Sequence, residues 1–295
     1  MTDILCIGSV LWDVIGRSSA SMRAGSDVPG RITRLPGGVA MNIAMTLARF
    51  GLRPGLLTAI GRDGEGDELI AACAHLGLDC SMVYRSEDLP TDRYMAIEGA
   101  NGLIAAIADA HSLEQAGDKI LRPLEDGRLG SAERPYAGQI ALDGNLTEHL
   151  LGKIARSDLF RAADLRVAPA SPGKAERLIP LLAHQGATLY VNLEEARLIS
   201  KTDADTADKA AQALLDRGAA RVLVTDGGHM AAEGTAGQGV ITGQPPQVLV
   251  TRVTGAGDTF MAAHIVSERR GATREQALQA ALLAAADYVS GDIGT

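Results

Sequence analysis

Short apolar runs alternating with amphipathic stretches organise most of the chain. Residues 4–10, ILCIGSV, form an apolar run that reads as a buried strand. Residues 42–50 carry apolar positions in helical order, 56–60 return as a strand, and 66–76 read as a second helix. The segment 17–36 before them is polar and rich in Gly, Ser and Arg, which predicts weak strands or a flap. Residues 92–108, DRYMAIEGANGLIAAIA, set two apolar runs on either side of Gly-Ala-Asn-Gly, the pattern of a β-hairpin. From there strands at 139–142, 165–168, 188–191 and 221–225 are predicted to alternate with helices at 147–155, 173–184, 194–200 and 204–217. A hairpin through Gly239 and two helices, 256–269 and 274–290, close the chain.

Strands alternating with helices imply right-handed crossovers. The expected fold is α/β, a doubly wound, mainly parallel sheet flanked by helices. The flap and hairpin would form a small β-sheet lid from segments about 14–36 and 92–110, within a single domain spanning 1–295. Ligands of such sheets bind beyond the carboxyl ends of the strands, so residues that follow strands become the candidates.

Composition narrows this picture. With 46% hydrophobic but only 3% aromatic residues, the core must be built from Ala, Leu, Val and Ile, which suits helices laid on a parallel sheet. A net charge of −8 argues against a nucleic-acid or membrane surface as partner. An anion can still be bound through backbone amides. Cys6, Cys73 and Cys80 fit no disulfide framework or zinc spacing. The first residues resemble no leader and no apolar run reaches membrane-spanning length, so a cytoplasmic location is expected.

Two stretches carry candidate chemistry. In TGAGDTF, residues 254–260, Gly255, Ala256 and Gly257 precede an apolar helix, so bare amides at its start can hold an anion. Asp258 either favours the helix dipole or takes a proton from an attacking hydroxyl beside a phosphate; the motif alone supports both. In the second stretch Gly37 and Gly38 precede a helix carrying Asn42. That residue is either a donor–acceptor pair for a diol or an ordinary first-turn residue.

Together the stretches resemble the two signature regions of the ribokinase-like family, the phosphofructokinase-B-type carbohydrate and nucleoside kinases. Gly37, Gly38, Ala40, Asn42, Ala44, Gly51 and Gly61 match the first, and residues 254–260 the second. The resemblance implies ATP and Mg²⁺ as cofactors, Asp258 as general base, and Gly255, Ala256 and Gly257 as an anion hole. It implies that Asp13, Gly37, Gly38 and Asn42 hold the acceptor, that Asn192 and Glu195 organise Mg²⁺ and phosphate, and that Thr225 and Gly227 contact the nucleotide. Two departures stand out. Arg252 occupies a position that is usually acidic, which leaves activation by a monovalent cation open, and Met230 stands where relatives carry glycine. With no aromatic residue placed to stack an adenine, aliphatic residues are expected around the base.

Three segments, 91–109, 142–151 and 168–178, resemble the pseudouridine kinase subgroup. That resemblance implies phosphorylation of the 5′-hydroxyl of pseudouridine or a close relative, with Lys174 and Asp109 as further substrate contacts. Asp109 reads equally as a loop acid before a capping box at Ser112–Gln115. A ribokinase- or fructokinase-like sugar kinase is the nearest alternative, and a non-catalytic binding protein of the same fold the next. An apolar lid face of Met95, Ile97, Leu103 and Ile107 predicts a homodimer through the lid.

Overall fold

The computed structural model describes residues 2–23 and 25–291. Residues 1, 24 and 292–295, which the expected single domain and lid segment include, lie outside the described residues. Strand β1 (Ile4–Ile7) is buried at every position. It stops short of the expected limit because Gly8 turns at φ +148, against the Asp143 side chain. The polar segment forms an antiparallel pair, β2 (Leu11–Arg17) and β3 (Arg31–Gly37). Next come α1 (Val39–Arg49), β4 (Pro54–Leu57), β5 (Ala59–Gly61), α2 (Gly64–His75) and β6 (Tyr84–Ser86). The hairpin is β7 (Arg93–Gly99) with β8 (Gly102–Asp109).

The next helix, α3 (His111–Ala116), runs into a 3-10 helix at Gly117–Leu124; the apolar pattern disclosed neither. Ser112 and Gln115 form no capping box. Ser112 lies inside α3, and the amides of Ser112 and Leu113 donate to the Asp92 carboxylate at 2.9 and 3.0 Å. The chain continues through β9 (Gln139–Asp143), α4 (Glu148–Arg156) and β10 (Asp164–Ala168). The predicted helix at 173–184 is a 3-10 helix, Pro172–Ala183, with Pro180 removing an amide donor from its interior. Then follow β11 (Ala187–Asn192), α5 (Leu193–Ser200), α6 (Ala207–Asp216), β12 (Arg221–Thr225), β13 (Ala231–Thr235) and β14 (Gly239–Gly243). Helices α7 (Ala256–Arg269) and α8 (Arg274–Ser290) match the pattern-based bounds.

The main sheet has the order β14-β13-β12-β11-β10-β9-β1-β4. It is parallel from β4 to β12, and β13 and β14 turn back antiparallel. Strand periodicity divides the core in two. Leu5, Ile7, Leu142, Val167 and Val224 face α3 to α6, whereas Ile4, Cys6, Ala141, Tyr190 and Leu223 face α1, α2, α7 and α8. A separate four-stranded sheet, β3-β2-β7-β8, is the expected lid, and β5 and β6 form a small parallel pair.

Helix α7 is tied to the main sheet by a buried ionic network. Arg166 on β10 pairs with Asp164 and Glu268, and Arg221 on β12 bridges Glu268 and Glu233. Arg274 also reaches Glu233, which is fully buried, and Tyr190 Oη lies 2.9 Å from His264 Nδ1. Arg221 and Asp164 begin their strands, so the carboxyl end of α7 is fixed where the strands start. Its amino end is thereby delivered to the carboxyl edge of the sheet.

Burial alone would raise the Glu233 carboxyl, but His264, Arg221 and Arg274 bring it down to about 2. Glu233→Gln should leave two buried guanidinium groups short of a charge and cost about 3–5 kcal/mol, read as a lower urea midpoint at pH 7. The depressed carboxyl contributes its stability in full above its ordinary value of 4.5. That contribution is lost as pH falls toward 2, so the gap between the two proteins should close over this interval.

Candidate active site

Loops at the carboxyl edge of the sheet bring four separate segments together. Gly37 ends β3 against Asp13 of β2; a Cβ at Gly37 would overlap the Asp13 carboxylate. Gly38, at φ +97, caps α1 while passing close to the backbone of Ser9, whose carbonyl oxygen lies 2.5 Å from where a Cβ would stand. A side chain at Gly37 would displace the Asp13 carboxylate, and one at Gly38 would run into the Ser9 backbone. Asn42 follows in the first turn of α1, and its side chain hydrogen-bonds the Asp258 carboxyl on α7.

Asp143, absent from the candidates above, organises the floor of the site. It ends β9 fully buried, and its Oδ2 accepts from the Ser9 amide at 2.8 Å, the Ser9 hydroxyl at 2.5 Å and the Ala40 amide at 3.3 Å. Oδ1 accepts from the Asn145 amide at 2.8 Å. Its only sequence signal is an acid ending an apolar strand. Lys174 does not reach either cavity described below. Its Nζ donates to Asn145 Oδ1 at 2.7 Å and so braces the Asp143 cluster from behind. Asp109 ends β8 with its carboxylate 2.9 Å from His111 Nδ1 and also lines neither cavity.

Gly255 caps α7 in the left-handed region, φ +91. The Ala256 amide is turned back to the Val253 carbonyl at 3.0 Å. Among the described residues the amides of Gly255, Gly257 and Asp258 have no acceptor, so these three are open to an anion. Two cavities meet at this turn. One, of about 620 Å³, is lined by Asp13, Asn42, Gly255 and Asp258, with Arg49, Arg252 and Tyr288 farther along its wall. The other, of about 300 Å³, is lined by Thr225, Gly227, Ala256 and Gly257 and by aliphatic residues including Val248, Leu282 and Val289. Phe260 also contributes to it, so one aromatic ring does border the space expected to be wholly aliphatic. Met230 is exposed and lies outside both linings.

Asn192 and Glu195 form a capping box at the start of α5. Glu195 N–H donates to Asn192 Oδ1 at 2.9 Å and Asn192 N–H to Glu195 Oε2 at 2.8 Å. Glu195 is buried, which raises its carboxyl despite the Asn192 amide bond. Oε1 takes part in no hydrogen bond among the described residues; Asn192 pairs with Thr225 in the sheet, but neither Asn192 nor Glu195 lines either cavity. No cluster of three metal-ligating side chains occurs among the described residues. A divalent cation would therefore take most of its ligands from phosphate and water, which suits Mg²⁺.

Comparison with known proteins fits this geometry. The sequence profile described as pfkB family carbohydrate kinase matches residues 1–291. The chain belongs to that family. It is a phosphotransferase acting on the hydroxyl of a sugar or nucleoside. A pseudouridine kinase of Escherichia coli is 30% identical over 88% of this chain and 81% of its own length. A carbohydrate kinase from Agrobacterium tumefaciens superposes with a TM-score of 0.82 at 25% identity, covering 100% of this chain and 93% of its own. Arabidopsis thaliana ribokinase, solved with ribose and ATP, superposes with a TM-score of 0.77 at 21% identity, covering 98% and 93%.

Burial and the neighbouring Asp143 carboxylate push Asp258 up to about 7, against a lowering hydrogen bond from Asn42. Asp13 is raised by burial to about 6. A carboxyl at this position would act as a base only when ionised, so kcat/KM should rise with pH through about 7 and level off above it. The same shift opposes folding, since ionisation above the ordinary value of 3.8 costs the folded chain more than the unfolded one. Asp258→Asn should therefore gain thermal stability between pH 3.8 and about 7 and hold the gain above; equal melting temperatures at pH 8 would contradict the assignment.

Proposed function

We propose that the chain is a single-domain, ATP-dependent kinase that phosphorylates the 5′-hydroxyl of a nucleoside of the pseudouridine type. The observation that carries the kinase assignment is the position of Asp258, within the α7 turn where three free amides separate two cavities. The smaller cavity takes the nucleotide, with Thr225 and Gly227 at its phosphate end. The larger takes the acceptor, whose hydroxyls are met by Asp13 and Asn42; Gly37 and Gly38 lie outside its lining and serve by leaving room for Asp13 and Ser9. Asp258 accepts the proton of the primary hydroxyl while its oxygen bonds to the γ-phosphorus. The bond from that phosphorus to the bridging oxygen breaks, and its electron pair leaves with ADP. The amides of Gly255, Gly257 and Asp258 stabilise charge on the transferring group. Mg²⁺ bound with the phosphates would neutralise part of that charge; Glu195 and Asn192, which line neither cavity, would be its nearest candidates on α5 only through water.

The nucleoside reading is supported by the 30% identical pseudouridine kinase and by segments 91–109, 142–151 and 168–178. A plain sugar as acceptor is favoured by one observation: Lys174 and Asp109, which the nucleoside reading uses, lie outside the acceptor cavity. A panel of pseudouridine, uridine, ribose and fructose with Mg-ATP decides between them. Transfer to pseudouridine at the highest kcat/KM is expected, and preference for a free sugar would reject the nucleoside while keeping the kinase. Asp258→Asn should lower kcat by about 10²–10⁴-fold with acceptor binding retained.

The outer face of the lid supports a homodimer. Register places Ile32, Met95, Ile97 and Ile107 on one side of this sheet, all exposed, whereas Asp13, Arg17, Leu35 and Glu98 on the other side line the acceptor cavity; Leu103, expected on the apolar face, pairs with Glu98 instead. A second lid would cover that apolar side. Sedimentation at micromolar concentration should give a dimer, with Ile107→Asp shifting it to monomer.

A further inference from the structure

The first-turn amides of α7 lack acceptors as at any helix start, and contacts from α8 hold the carbonyls that precede them. Were α7 to extend back through Gly255, which is left-handed at φ +91, the Asp258 amide would donate to the Thr254 carbonyl and the Gly257 amide to that of Val253. Neither bond forms. The Val253 carbonyl is taken by Ala256, and the Thr254 carbonyl accepts from the Tyr288 hydroxyl at 2.8 Å. Tyr288 is itself held by Arg252, whose guanidinium stacks on the ring at 4.0 Å while Nε donates to the Tyr288 carbonyl at 2.7 Å. The amides of Thr251 and Arg252 both donate to the Val289 carbonyl. These are last-turn carbonyls of α8, at the negative end of its dipole, so a guanidinium there is favourably placed, although the Tyr288 carbonyl also accepts from the Gly291 amide at 3.3 Å. Gly255 completes the contact: a Cβ would lie 2.5 Å from the Tyr288 hydroxyl.

We propose that Tyr288 and Arg252 form a latch that holds the Thr254 carbonyl out of the α7 hydrogen-bond ladder, keeping the Asp258 amide available to the transferring phosphoryl group. Both are positioning residues for the phosphoryl cradle, and the inference rests on the reading of that turn as the cradle. Arg252 thereby acquires a role as a tethered cation at the end of α8, in place of the acid expected there. The latch also explains why residues 251–254, which run without regular structure between the two cavities, are pinned at both backbone and side chain.

Tyr288→Phe tests this directly, since it deletes one hydroxyl and leaves the ring for Arg252. Freed from Tyr288, the Thr254 carbonyl should capture the Asp258 amide. Hydrogen exchange at Asp258 should then become slower than in the parent protein, and kcat should fall about 10- to 100-fold with the acceptor KM unchanged. Exchange that is unchanged or faster, or a KM effect without a kcat effect, would overturn the latch. Arg252→Ala should show a smaller loss of kcat that sub-denaturing guanidinium chloride partly restores; lack of rescue counts against the stacked cation as the active element. The exchange measurement needs no acceptor. Absence of turnover on every acceptor would therefore reject the kinase reading and leave the latch to be judged by exchange alone.

Discussion

The placement of α7 is the constraint on which the site depends. A helix that follows parallel strands must run antiparallel to them, so its amino end reaches the edge where the strands finish. The clamp of Arg166, Arg221, Glu233 and Glu268 fixes its opposite end deep in the structure. Removing charges from water is costly, and this arrangement is tolerable because each guanidinium meets carboxylates from more than one element. Helix α7 thus acts as a rigid rod, anchored by charge at one end and offering unpaired amides at the other.

Three carboxylates, Asp13, Asp143 and Asp258, gather near the same edge, and the repulsion between Asp143 and Asp258 has to be offset locally. Asp143 is satisfied by donors from Ser9, Ala40 and Asn145, and its charge in turn raises Asp258. Lys174 extends that chain of donors through Asn145. An acidic protein can therefore hold an anionic cofactor without a basic surface, because the attraction comes from oriented amides.

Much of this was legible in the sequence for physical reasons that differ from element to element. Strand β12 matched its pattern-based bounds as a short apolar run, and α7 and α8 did so because their ends are marked by Gly255, by the Thr273 capping box and by Gly291. Helix α3 did not, since its first amides are satisfied by Asp92, twenty residues back and across a hairpin. The stretch 172–183 has a helical pattern but two prolines, and the backbone answers to the prolines. Gly37, Gly38, Asn42, Asp13 and Asp258 became candidates through the family resemblance, and Asp13, Asn42 and Asp258 do line one cavity. Asp143 did not become a candidate, because its role comes from contacts 103 and 134 residues away in the chain. Lys174 shows the converse: a lysine suited to a ligand is occupied by an asparagine.

The lid is a single layer of backbone, and the alternation along β2 sets Asp13 on one side and Val14 on the other. A one-residue insertion within β2 would exchange the two faces beyond it and set Asp13 at odds with the rest of the strand. The connection between these strands, residues 18–30, lies beyond that pairing and is free of the parity rule. Evolutionary change in the reach of the lid can therefore accumulate in loop length, while the strands themselves drift only by substitution.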